Sequence, residues 1–134
     1  MYAAACSLGD FVFVLAGSDC SIDCINSVER MNVPAIASSV AAWELIQLPE
    51  IVFTPRNNPA VVALNENMIA ILGGRDPNER CLSDVVVFNV TNKVCHKVTD
   101  SGDYTFESFS NQCAMVGNKV IALAFGGPSQ DTFL

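Results

Sequence analysis

An apolar segment that ends in small residues occurs three times in this chain, and this repetition restricts the fold more than any other feature. The three segments are residues 11–17, 68–74 and 120–127. Their last glycines in the first two copies are 57 positions apart, and an equivalent glycine follows 53 positions later. Periods of this length are typical of proteins in which one supersecondary unit is copied. The sequence therefore predicts a repeat protein.

The first two copies keep their register without a gap. Residues of the same type recur at an offset of 57 positions: Leu15 and Leu72, Gly17 and Gly74, Cys24 and Cys81, Val28 and Val85, Asn32 and Asn89. An offset of 53 then brings Gly73 and Gly74 onto Gly126 and Gly127. We expect a first repeat at about 1–50, a second at about 51–103 and the start of a third at about 104–134.

Turn residues and runs of β-branched and aromatic residues predict four strands in each complete copy. In the first copy the predicted strands cover residues 3–8, 11–15, 27–32 and 42–46. In the second they cover 60–64, 68–72, 84–89 and 94–98. Residues 33–41 are predicted to form a loop with room for one helical turn, because Pro34 and two serines disfavour a longer helix.

The second strand of each copy is apolar at nearly every position, so we expect both of its faces to be covered. A parallel sheet would need long helical crossovers. The connectors here are short, polar and interrupted by proline and glycine. The pattern therefore predicts an all-β protein made of stacked four-stranded antiparallel sheets.

Residues 64–76, followed by 82–88, resemble a kelch repeat, which has a Gly-Gly pair followed downstream by aromatic positions. Residues 48–56 are similar to the segment of that family that leads from one blade to the next and carries an arginine before the first strand. The resemblance implies a partial β-propeller of about two and a half blades. The first copy departs from it with Ala16 at the first glycine of the pair, and the second with Cys95 at the family's tryptophan position.

Kelch propellers close a ring of more blades than this chain supplies. A stack of sheets buries its strands only where a neighbour covers them, which leaves apolar surface at both ends. We therefore expect a fragment of a larger propeller protein, or a piece that associates with itself through the uncovered blade faces.

Composition and charge restrict the classes of partner that the chain can bind. The chain is 51% hydrophobic and carries a net charge of −7 without a cluster of lysine or arginine, which argues against a nucleic-acid partner. No stretch reaches the 18 apolar residues of a membrane span, and the first residues lack the basic region of a signal peptide. We expect a cytoplasmic protein without a membrane partner.

Candidate catalytic and metal-binding residues are few. The chain has six cysteines but one histidine, His96, which is the only imidazole available as a base for a nucleophile. Cys20 and Cys24 have a spacing that zinc tolerates, yet no second close pair exists. Structural thiols are favoured, and we expect no metal, no cofactor and no catalytic residue.

The remaining hypothesis is a non-catalytic module that binds another protein or peptide. The resemblance implies that Arg56, which precedes a first strand, faces the ligand and pairs with acidic groups of a partner. A structural arginine bonded to neighbouring carbonyls is an equal alternative. Two other functions stay open: a fragment of a galactose-oxidase-like enzyme whose copper ligands lie elsewhere, and the substrate-recognition part of a ubiquitin-ligase adaptor.

Overall fold

A computed structural model of the chain describes residues 3–18, 23–34, 42–98 and 109–125, the last range with side chains for residues 112–122. These residues form ten strands in three antiparallel sheets of four, four and two strands. The described residues contain no α-helix, and hence no apolar helix of membrane-spanning length. The prediction of an all-β protein with antiparallel sheets is confirmed.

Each sheet is formed by strands that follow one another in the chain. Sheet 1 consists of β1 (Ala4–Leu8), β2 (Phe11–Leu15), β3 (Ser27–Asn32) and β4 (Glu44–Gln47). Sheet 2 consists of β5 (Ala60–Asn65), β6 (Met68–Leu72), β7 (Val85–Asn89) and β8 (Val94–Val98). Sheet 3 consists of β9 (Phe109–Val116) and β10 (Lys119–Phe125).

The observed strands follow the predicted ones closely. The strands β2, β3, β6 and β8 have the predicted ends, whereas β4 begins two residues later than predicted, at Glu44. Most of the predicted loop at 33–41 lies outside the described residues; Val33 and Pro34, which follow β3, are exposed.

Sheets 1 and 2 repeat each other in backbone detail as well as in strand order. Three hydrogen bonds outside the strand ladders recur between residues that are 57 positions apart. In the first pair, the N–H of Ala16 bonds to the carbonyl of Ser27, and the N–H of Gly73 to the carbonyl of Asp84. In the second, Ile25 bonds to Gly17, and Leu82 to Gly74. In the third, Val33 bonds to Asp10, and Val90 to Asn67. Their lengths are between 2.8 and 3.1 Å.

The residue pair after the second strand has the same unusual conformation in both sheets. The φ angles are 55° at Ala16 and 116° at Gly17, against 57° at Gly73 and 103° at Gly74. A Cβ at Gly74 would lie 2.7 Å from the carbonyl oxygen of Asn57, so this position needs glycine for both its φ and its close backbone contact. Ala16 adopts the left-handed conformation without the freedom of glycine.

The main core lies between sheets 1 and 2. It is formed by apolar residues that are almost fully buried: Phe13, Leu15, Val28 and Ile46 from sheet 1, and Ile69, Ile71, Val86, Phe88 and Cys95 from sheet 2. A second cluster joins Ala70 and Leu72 on the other face of β6 to Cys113 and Ala122 of sheet 3. Both faces of β6 are therefore covered, which explains its uninterrupted apolar sequence.

The first strand of each sheet is the one nearest to the next sheet. β1 contacts β5, and β5 contacts β9, although these strands do not pair by hydrogen bonds. Each of the three is therefore an edge strand within the described residues.

Candidate functional site

The three first strands surround a cavity of about 350 Å³. Residues 3–5 at the start of β1, residues 58–61 at the start of β5, and Gln112 and Cys113 of β9 line it. Ala3, Ala4 and Ala5 leave space beside the backbone, because their side chains are short. The cavity thus brings together parts of the chain that are more than a hundred residues apart in sequence.

The described residues that line the cavity are neutral. Their polar side chains are the amides of Asn58 and Gln112 and the thiol of Cys113, and none of these described residues carries a carboxylate, an imidazole or a cation. Edge strands carry backbone N–H and C=O groups that no neighbouring strand bonds. The cavity can therefore bind a ligand through hydrogen bonds to amides and backbone groups.

The half-buried thiols of Cys6 and Cys113 and the buried thiol of Cys95 are poor nucleophiles. Burial, with a smaller contribution from Cys113, raises the pKa of Cys6 to about 11. Burial also raises the pKa of Cys113, and that of Cys95 to about 11 in spite of the opposing charge of Arg56. Because the thiolate is the reactive form, these cysteines behave as small apolar side chains near neutral pH.

Arg56 lies inside the protein at one end of sheet 2, and its side chain is 0% exposed. Nη1 and Nη2 donate hydrogen bonds to the two carboxylate oxygens of Asp84, at 2.6 and 3.0 Å. Nη1 also donates to the carbonyl of Gly73 at 2.9 Å, and Nε to that of Thr54 at 3.1 Å. The guanidinium carbon lies 4.6 Å from the centre of the Phe53 ring.

These contacts hold sheet 2 together and attach it to sheet 1. Arg56 precedes β5, Gly73 follows β6 and Asp84 precedes β7, so the guanidinium ties three strand ends to one another. The carbonyl of Arg56 accepts a hydrogen bond of 2.8 Å from the N–H of Gly17, which follows β2. The structure thus gives Arg56 the structural role that its sequence position left open. A direct contact with a partner stays a prediction.

A second cluster of charged side chains lies on the surface and links sheets 1 and 2. Glu44 of β4 accepts hydrogen bonds from Nε of Arg30 at 2.6 Å and from Nζ of Lys93, which belongs to the turn between β7 and β8. The bonds from Lys93 and Arg30 lower the pKa of Glu44. This exposed group connects sheets 1 and 2 but lies on different elements from the cavity.

The remaining sequence candidates do not come together. His96 is exposed on β8, and the neighbouring Cys95 is buried between sheets 1 and 2. Cys20 lies outside the described residues, and Cys24 is half-buried, with Sγ 3.7 Å from the carbonyl oxygen of Arg75. The described residues contain no group of three or more histidine, cysteine, aspartate or glutamate side chains placed to hold a metal ion.

Sequence reasoning missed the cavity and the partner of Arg56. Asp84 stands at the predicted start of a strand, where the equivalent residue of the first repeat is Ser27. The replacement of a serine by an acid at a repeat position was the available signal. No comparable signal marks the cavity, because its lining is mostly alanine and backbone.

No protein-family model matches this chain, and no curated protein matches it.

Proposed function

We propose that this chain is a kelch-type propeller segment that binds an extended peptide of another protein at the cavity between its first strands, without a catalytic role. The observation that carries the proposal is the meeting of three edge strands around one cavity of about 350 Å³. The ligand class follows from the lining: a peptide segment with small, uncharged side chains.

Support for the propeller arrangement comes from the way the sheets follow one another. Sheets 1 and 2 share their strand order, the register between their second and third strands, and three backbone hydrogen bonds at a constant offset. Sheet 3 packs on sheet 2 through Cys113 and Ala122, on the face opposite to sheet 1. Contacts between successive first strands are what a radial stack produces at its axis.

Support for peptide binding comes from the free strand edges. An extended peptide adds to an exposed sheet edge through main-chain hydrogen bonds, while pockets select its side chains. The short side chains of Ala3, Ala4 and Ala5 permit such an approach along β1, and Asn58 and Gln112 supply amides beside it. A charged ligand group would find no counter-charge among the residues that line the cavity.

Arg56 enters this proposal as a positioning residue. It fixes the segment that leads into β5. Arg56 is two residues before Asn58 and three before Pro59, and both of these residues line the cavity. Its hydrogen bonds with Gly73 and Asp84 hold that segment against the rest of sheet 2.

A displayed library of short peptides, selected on the purified chain, tests the proposal. Gln112 is exposed at the cavity, so Gln112→Trp fills the cavity without changing the core. Peptides selected on the original chain are expected to bind this variant at least about tenfold more weakly, which corresponds to about 1.4 kcal/mol.

The matched control is Gln47→Trp, which places the same bulky side chain on β4, away from the cavity. It is expected to leave the dissociation constants of the selected peptides unchanged. Failure to select any peptide, or selected peptides that bind the Gln112→Trp variant as tightly as the original chain, would contradict the proposal.

A further inference from the structure

Sheet 1 presents an apolar face on the side opposite to the main core. Its residues alternate along the strands with the buried ones, and those of β2, β3 and β4 include Val12, Val14, Glu29, Met31 and Leu45. We call these residues the outer face of sheet 1. Leu45 is 61% exposed, and Trp43, two residues before it, is 48% exposed.

The repeat shows what kind of structure covers such a face. At the offset of 57 residues, Val12, Val14, Glu29 and Met31 correspond to Ile69, Ile71, Val86 and Phe88. All four of these residues of sheet 2 are 0% exposed and lie beneath sheet 1. The occupant that fits the outer face of sheet 1 is therefore another sheet of the same repeat type.

Glu29 adds a charge requirement. Its neighbours on the adjacent strands are Val14 and Leu45, and its carboxylate has no hydrogen bond or ion pair with any described residue. Burying an unpaired carboxylate is strongly unfavourable. A sheet that covers this face must therefore bring a cation to Glu29.

The chain carries such a sheet face at its other end. Cys113 and Ala122 of sheet 3 pack on sheet 2, so Val116, Lys119 and Ile121 lie on the opposite side, together with Ala114. We call these four residues the outer face of sheet 3. Val116 is 57% exposed and Ile121 is 46% exposed, and Lys119 has no ion pair with any described residue.

We propose that copies of this chain associate head to tail, with the outer face of sheet 3 of one copy packed on the outer face of sheet 1 of the next. Lys119 of one copy then neutralises Glu29 of the other. This contact is heterologous, so it uses two different surfaces and leaves one of each free for further copies. Pairing of two outer faces of sheet 1 would instead bring Glu29 against a second Glu29.

Sedimentation velocity over about a hundredfold range of concentration measures the association. The original chain is expected to form species larger than the monomer as concentration rises. Glu29→Lys and Lys119→Glu each place like charges in the contact, so each variant alone is expected to stay monomeric. An equimolar mixture of the two variants, and the variant that carries both changes, are expected to associate again.

Leu45→Asp tests the apolar part of the contact, and Ile51→Asp is its control. Ile51 is 94% exposed and lies outside the outer face of sheet 1. Leu45→Asp is expected to abolish association, whereas Ile51→Asp retains it, with unchanged circular dichroism in both. A monomeric original chain at every concentration overturns the proposal, and so does a Lys119→Glu variant that associates normally while Leu45→Asp does not.

The outcome is separate from that of the proposed function. Glu29, Leu45 and Lys119 do not line the cavity, so the monomeric variants are expected to bind the selected peptides with unchanged dissociation constants. Loss of association with retained peptide binding supports both proposals independently. Association without any peptide binding contradicts only the proposed function.

Discussion

The carboxylate of Asp84 accepts hydrogen bonds from both terminal nitrogens of Arg56, at 2.6 and 3.0 Å, in the interior of the protein. The side chain of Arg56 is 0% exposed and that of Asp84 is 10% exposed. The pair joins the segment before β5 to the segment before β7, so the ends of sheet 2 depend on it.

Removing the arginine is expected to destabilise the fold strongly. Arg56→Met leaves the Asp84 carboxylate with Lys97 as its remaining described ion-pair partner, at 3.3 Å, and that lysine is 58% exposed. Breaking one member of a buried pair costs about 3–5 kcal/mol. Urea unfolding measured by circular dichroism gives the free energy of unfolding of each variant.

The double variant Arg56→Met, Asp84→Ser is the control for that prediction. Serine is the residue at the equivalent position of the first repeat, Ser27, where it is buried. The double variant is expected to regain most of the lost stability. A single Arg56→Met variant as stable as the original chain would show that the pair does not hold these strand ends.

Stability is expected to fall in acid because of Asp84. Burial by itself would raise the pKa of Asp84, but the hydrogen bonds and charge of Arg56, helped by Lys97, outweigh it and lower the pKa. A carboxylate with a lowered pKa in the folded state adds stability that is complete above the unfolded value of about 4. That contribution is lost as pH falls through the lowered pKa.

Urea unfolding at a series of pH values below about 4 checks this expectation. Asp84→Asn removes the titrating group, so its free energy of unfolding is expected to change less over the same range. If the free energies of unfolding of the two proteins fall in parallel with pH, other carboxylates cause the acid sensitivity.

Ala16 is expected to be a position where glycine improves stability. Its φ of 55° is the left-handed conformation, which costs a residue with a Cβ about 1–2 kcal/mol, against about 0.5–1 kcal/mol for the extra backbone entropy of glycine. Ala16→Gly should therefore raise the free energy of unfolding by up to about 1.5 kcal/mol. Thermal and urea unfolding measure the change.

The opposite change is tested at the next position of the second repeat, Gly74, which corresponds to Gly17. Gly74→Ala introduces a Cβ 2.7 Å from the carbonyl oxygen of Asn57 at a φ of 103°, so it is expected to destabilise the protein. Equal stability of the two variants would mean that the backbone at these positions differs from the one described.

The half-buried thiol of Cys6 and the buried thiol of Cys95 are expected to resist alkylation. Because burial raises the pKa of Cys6 and of Cys95 to about 11, iodoacetamide at about pH 8 should modify them slowly in the folded protein. In denaturant both should react at the rate of an ordinary cysteine. Peptide mass spectrometry after timed quenching follows each site, and rapid labelling of Cys95 without denaturant would contradict its buried position.

Much of the local structure could be predicted without coordinates. The strands at 11–15, 27–32 and 68–72 were predicted with their observed ends, because turn residues and β-branched runs act over a few neighbours. The double coverage of β6 also followed from its sequence, since a strand without polar residues cannot face water. The constant offset between repeats predicted equivalent sheets, and the recurring backbone hydrogen bonds match that offset.

The role of the Arg56 side chain could not be predicted from the sequence in this way. Its sequence position was equally suited to a surface contact and to a structural bond, and the choice depends on Asp84, which is 28 residues away. Such a pair forms only when two strand ends are brought together by the packing of the whole sheet. The same holds for the cavity, whose lining of alanine and backbone has no distinctive local pattern.

The sequence by itself therefore determined the strands, their turns and the repeated unit, because these depend on side-chain alternation and backbone preferences within short segments. Only the tertiary structure decided that Arg56 is buried, that the first strands meet around a cavity, and that Glu29 and Lys119 lie on opposite outer faces. The physical reason is that burial and charge pairing depend on the distances between sheets, which the stacking of the complete chain sets.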